Sequence, residues 1–132
     1  MTVEQTYFRK GFGLKKELRP LIDAEYQSAL VERIRARGYS DTFGDVNVRL
    51  AQEFGFCYGV DRAVDYAYET VHKFPDKRIY LVGEIIHNPH VNQRMTEMGI
   101  SFIYPDEAGQ FDFSALTDND VVILPAFGVT IH

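Results

Sequence analysis

At 132 residues, with 45% hydrophobic and 25% charged residues, the chain has the length and apolar content for one modest core. Its net charge of −5 runs against the basic face that nucleic-acid binding needs, and its single cysteine excludes a disulfide framework. No apolar run approaches the roughly 20 residues of a membrane-spanning helix.

Residues 1–18 show no periodicity and read as an irregular arm. They carry neither an apolar signal segment nor the composition of a transit peptide, which points to a reducing, cytoplasmic setting. Pro20 is placed to open a helix in its first turn, running through "LIDAEYQSALVERIRAR" to a stop at Gly38. The apolar set Leu21, Ala24, Ala29, Leu30, Val31 and Ile34 is only partly regular, which predicts a peripheral helix. "YSDTFGD" reads as a turn-rich linker. Residues 1–44, with eight Lys/Arg against six Asp/Glu, are thus expected to form an N-terminal extension, an irregular arm plus a helix. The "RK" and "LKKELR" clusters read as its solvated face.

From Asp45 a second rhythm begins, in a stretch that is clearly acidic. "VNVRLA" alternates as a strand does. "VDRAVDYAYETVHKF" sets Val60, Ala63, Val64, Ala67, Val71 and Phe74 on one helical face. "RIYLVGEII" predicts a buried strand. "NPHVNQRMTEMG" predicts a short helix with Asn88 as N-cap, Pro89 in the first turn and Gly99 at the stop. "ISFIY" and "DVVILPAFG" are two further strands. The alternation predicts an α/β domain over 45–132, a small parallel sheet with flanking helices.

In such a sheet, ligands gather beyond the carboxyl ends of the strands. "EFGFCYG", "IIHNPH" and "LPAFGVT" each follow a predicted strand and are expected to meet there. Cys57 heads a helix, where unpaired N–H groups and the positive dipole end favour the thiolate that ligates metals or attacks electrophiles. Gly55 and Gly59 would allow close approach; the competing reading is a buried structural cysteine. His87, at a strand end and before a helix cap, can ligate a metal, move protons or bind phosphate, or can simply be satisfied by backbone hydrogen bonds. His90 reads as solvent-facing and His72 as a helix-end cation. Asp61 and Glu84 read as a first-turn charge and a strand-end polar group rather than as acids. Phe54, Phe56, Tyr58, Tyr66 and Tyr68 are expected to pack the helix on the sheet. No zinc-finger spacing, Walker loop or GxGxxG occurs.

Taken together, "RLAQEFGFCYGVDRAVDYAYE", "EIIHNPHVNQRM" and "VVILPAFGVT" resemble the N-terminal third of the 4-hydroxy-3-methylbut-2-enyl diphosphate reductase family. The resemblance runs from Asp45 to His132. "RKGFG" and "LIDAEYQSALVERIRARGY" resemble the extension of its plant-like and cyanobacterial branch. It implies three similar α/β domains around a 4Fe-4S cluster, with one cysteine from each domain and one iron left open to substrate. Cys57 matches the first of those cysteines, and His87 matches a histidine that contacts the substrate's diphosphate. Phe127 stands where one branch has a second histidine, so no diphosphate role follows for that side chain, although the backbone of "FGVT" is expected near the cavity. The implied reaction is a reductive dehydroxylation fed by a ferredoxin- or flavodoxin-type donor. It yields isopentenyl and dimethylallyl diphosphate in the methylerythritol phosphate route. The other cysteines, the family's catalytic glutamate and its Ser/Asn cradle have no counterpart here, so the expectation is an N-terminal portion that is inactive alone. A thiol enzyme pairing Cys57 with His87, and a non-catalytic α/β module, are the alternatives.

Overall fold

The computed structural model describes residues 6–125. The expectations for Phe127 and "FGVT" lie outside the described residues. In chain order the elements are helices Lys15–Tyr26 (α1) and Ala29–Ala36 (α2), strands Ser40–Phe43 (β1) and Val46–Arg49 (β2), and helix Tyr58–Lys73 (α3). Strand Ile79–Val82 (β3), helix Pro89–Glu97 (α4), and strands Ile100–Ile103 (β4) and Val121–Ile123 (β5) follow.

The apolar tetrapeptide of β3 lies at the centre of a parallel sheet of order β4-β3-β5, with Ile79 opposite both Ile100 and Val121. Continuous apolar strands suit a parallel sheet covered by helices, and Ile79, Leu81 and Val82 are buried. Leu18 and Ile22 of α1, Val64 and Tyr68 of α3, and Val91 and Met95 of α4 join the sheet in one apolar cluster. From α3 onward the elements are those the periodicity predicts. Asn88 caps α4 by accepting from the N–H groups of His90 (3.0 Å) and Val91 (3.3 Å), with Pro89 in the first turn.

The N-terminal third departs from expectation in three ways. First, the helix begins at Lys15 and carries Pro20 inside it. An interior proline removes a helical N–H bond, and tertiary contacts offset that loss. Leu18 and Ile22 are each only 4% exposed, so α1 belongs to the core rather than the periphery. Second, the single helix expected up to Gly38 is two. Gln27 is extended, and Ser28 starts α2 by accepting from the Val31 N–H at 3.4 Å. Third, the expected linker is a strand. β1 pairs antiparallel with β2, Phe43 opposite Val46, around a Gly44–Asp45 turn. The 44/45 boundary therefore falls in the turn of a hairpin, and among the described residues β2 pairs only within that hairpin, outside the parallel sheet.

Helix α3 buries two stripes. One is the apolar face; the other is acidic, since Asp65 and Glu69 are 1% and 2% exposed. Buried carboxylates need partners, and the N-terminal segment supplies them. The Phe12 N–H donates to Glu69, Lys15 Nζ lies 2.6 Å from Asp65, and Arg19 donates to Asp61 at 3.1 Å. Phe8 and Phe12 pack on Phe74 at the far end of α3. Gly11 fits under this strap so closely that an added Cβ would lie 2.7 Å from Tyr66 Cε1 and 2.8 Å from Glu69 Oε2. Gly11→Ala is expected to cost about 1 kcal/mol through overpacking, read as a lower urea midpoint. An unchanged midpoint would mean that the strap does not press on α3.

Candidate functional site at the heads of helices α3 and α4

Cys57 is the N-cap of α3, with extended backbone at φ −66° and ψ 159°, and its side chain makes no cap hydrogen bond. It is exposed, so the buried structural cysteine is not what the fold builds. Gly55 before it has φ +121°, a region that L side chains rarely adopt, and a Cβ there would meet nothing within 4 Å. Glycine is needed at 55 for backbone conformation. At Gly59, inside the helix, a Cβ would also meet nothing within 4 Å, so no crowding among the described residues requires glycine there.

His87 immediately precedes the Asn88 cap of α4, and its side chain is 97% exposed. Its Nδ1 lies 2.8 Å from Glu84 Oε2, while Glu84 Oε1 accepts from the Tyr104 hydroxyl at 3.0 Å. The hydrogen bond with His87 holds the Glu84 carboxyl below the usual carboxylate range, with Tyr104 and Asn92 adding to the effect against the opposing pull of burial.

The end of α1 lies between the two helix heads. Tyr26 meets Phe56 edge-on at 5.6 Å and His90 at 5.8 Å. Beside it, Glu25 accepts from both the Tyr68 hydroxyl of α3 and the Arg94 guanidinium of α4. Burial alone would raise the Glu25 carboxyl; the bonds from Arg94 and Tyr68 outweigh it and leave the group below its ordinary range. Sequence reading missed Glu25 and Tyr26, which carry no local signal beyond their place near a helix end.

The loop ahead of α3 comes near the head of α4 by a route other than the one expected, and most of "LPAFGVT" lies outside the described residues. "EFGFCYG" follows a hairpin strand, not a strand of the parallel sheet, and comes to this end through the packing of α3. "IIHNPH" does follow β3, and Leu124 and Pro125 follow β5. No hydrogen bond links Cys57 with His87; they are connected through Phe56, Tyr26 and His90. Of the aromatic side chains expected to pack α3 on the sheet, Tyr68 is buried and Phe56 packs against the core. Phe54 and Tyr58 are instead exposed, 44% and 76%, and Phe54 lies under the Arg35 guanidinium at 4.6 Å. Phe54 lies in the loop before α3 and Tyr58 is the first residue of the helix.

Among the described residues no group of three or more His, Cys, Asp or Glu side chains could hold a metal ion. Nor is any helix among them long and apolar enough to cross a membrane. A shallow cleft of about 390 Å³ lies at the opposite end of the sheet, lined by Asp76, Lys77, Thr117 and Asn119 and by the Arg78–Asp120 ion pair.

The family described as LytB protein matches residues 48–132. A protein of Nostoc sp. named 4-hydroxy-3-methylbut-2-enyl diphosphate reductase is 57% identical over 128 residues, 97% of this chain and 32% of its own length. A protein of the same name from Gloeobacter violaceus is 52% identical over 129 residues, 96% of this chain and 31% of its own. The one from Microcystis aeruginosa is 52% identical over 132 residues, 98% and 33%. The chain therefore spans about a third of the length of the curated relatives it matches. Residues before 48 lie outside the family match, whereas these alignments cover 96–98% of the chain. No solved structure matches the chain. The motif order, the parallel sheet with its helix-head cysteine, and the family match across residues 48–132 agree: this chain belongs to the LytB family.

Proposed function

We propose that the chain forms part of a 4-hydroxy-3-methylbut-2-enyl diphosphate reductase, in which Cys57 is one protein ligand of a 4Fe-4S cluster and His87 binds the substrate's diphosphate. The observation that carries the reading is an exposed cysteine at an N-cap that leaves its sulfur unengaged, joined through the contacts of Tyr26 with Phe56 and His90 to a second helix head that bears an exposed imidazole. The residues present fit the cluster as a partial ligand set. The thiol is free, and the glycines at 55 and 59 leave open space beside it.

When bound, the cluster would pass on two electrons drawn from a ferredoxin- or flavodoxin-type donor; with two protons these break the substrate's C–O bond, one proton leaving with the hydroxyl as water and the other ending on carbon. Everything else falls to side chains. Cys57, held by the start of α3, fixes where the ligand sulfur stands. The N–H groups of the first turn, with no cap side chain to occupy them, offer hydrogen bonds to sulfur, the kind of contact that tunes such centres. His87 presents its ring to the diphosphate from the head of α4. A cytoplasmic, reducing setting suits a lone free thiol. Thiol catalysis would instead need an imidazole within hydrogen-bond reach of the sulfur, and the Cys57 side chain has no hydrogen bond to His87, whose own bond is to Glu84.

The test is turnover of 4-hydroxy-3-methylbut-2-enyl diphosphate by anaerobically reconstituted protein. The full-length reductase should turn over, this chain alone should not, and His87→Ala in the full-length enzyme should raise KM roughly 10–100-fold, as loss of a charge-assisted hydrogen bond does. Turnover by the isolated chain, or an unchanged KM in His87→Ala, contradicts the reading.

A further inference from the structure

We propose that Glu84 is a positioning residue for His87: its carboxylate, held by Tyr104, accepts the Nδ1–H of the imidazole and so fixes the ring's direction, aiming the Nε2–H of the protonated ring at a diphosphate oxygen. This rests on the reading of His87 as a diphosphate ligand.

A side chain 97% exposed has no packing to hold it, and an unrestrained imidazole presents either nitrogen and samples several rotamers. Glu84 removes that freedom from a more protected position, since its own side chain is only 21% exposed. Both its oxygens are committed, Oε1 to the Tyr104 hydroxyl at 3.0 Å and Oε2 to His87 Nδ1 at 2.8 Å. Tyr104 is itself braced, its ring stacked on Phe102 at 5.7 Å and 9°. The backbone just before Glu84 is pinned as well, for the Gly83 N–H donates to Ile103 O at 2.8 Å. An ionised carboxylate accepts only, and Glu84 is held below the ordinary carboxylate range. The proton between the two therefore belongs to Nδ1. In the cationic ring Nε2 then carries the other N–H, the donor a diphosphate oxygen requires. Carboxylate–histidine pairs orient imidazoles in the same way behind metal ligands.

The experiment has two arms. Long-range 1H–15N spectra of this chain should assign the neutral His87 ring to the Nδ1–H form. Glu84→Ala should lose that preference, and Tyr104→Phe, which frees one carboxylate oxygen, should weaken it. In the full-length reductase, Glu84→Ala should raise KM about tenfold, the order seen when a supporting partner is lost, with kcat little changed. It should add nothing in a His87→Ala background, since coupled residues are non-additive. Identical ring spectra in wild type and Glu84→Ala, or an equal KM increase with and without His87, would overturn the inference. Should His87→Ala alone leave KM unchanged, the diphosphate role of His87 falls, and the ring spectra still decide whether Glu84 sets its tautomer.

Discussion

Cys57→Ser in the full-length reductase is expected to abolish stable cluster binding while leaving this chain folded, and slightly more stable than before. Cys57 occupies an N-cap, a position where Ser, Thr, Asp and Asn are strongly preferred because their oxygens accept from the first-turn N–H groups. Its side chain makes no such bond. Serine can, so α3 should gain about 0.5–1 kcal/mol. Loss of a ligand should lower activity by more than the roughly 10–100-fold that follows loss of an outer partner. Iron content, visible absorbance and turnover would read the first effect, and a urea melt of the chain the second. Opposite signs are the mark of a position where function is maintained at the expense of stability. If Cys57→Ser keeps its iron, the cysteine is not a ligand. If it melts much earlier than wild type, the cysteine is structural.

Ile22→Ala is expected to destabilise the chain about as much as Leu81→Ala, although one lies before the family match and the other in the central strand. Both are buried, at 4% and 0% exposure, in the same apolar cluster. Large-to-small changes at such sites cost about 2–5 kcal/mol, through lost transfer energy and the cavity left behind. A peripheral helix would lose no more than about 0.5 kcal/mol. Urea midpoints of the two variants, compared at equal m-value, decide between these outcomes. A near-neutral Ile22→Ala would mean that α1 is an appendage and that the Tyr26 wedge does not hold the helix heads together.

The part of the fold that could be read from sequence is the part whose signals are local. α3 has apolar spacing over four turns, α4 has Asn88 and Pro89 at one end and Gly99 at the other, and β3 is a continuous apolar run. β1 was hidden because "SDTF" offers one large apolar side chain and lies against a Gly-Asp turn, so turn chemistry outweighed strand pattern. The start of α1 was hidden because its first turn is Lys15, Lys16 and Glu17, with Pro20 close behind. What makes it helical is distant, namely Asp61 and Asp65 on α3 and the core beneath Leu18 and Ile22. Cys57 was legible, since glycines and a helix start surround it within five residues. The Glu84–His87 bond was not. Two polar residues three apart in a loop look independent until Tyr104, twenty positions on, fixes one of them.

Because Cys57 is the chain's one cysteine and is exposed, a nitroxide can be attached there alone, and the imidazole resonances then report which histidines lie near it. His87 and His90 should broaden strongly. His72, fifteen residues along α3 and so about 22 Å away at 1.5 Å per residue, should keep most of its intensity. A His87 signal left sharp beside a broadened His72 would put the thiol and the imidazole at different ends of the sheet and contradict the shared site.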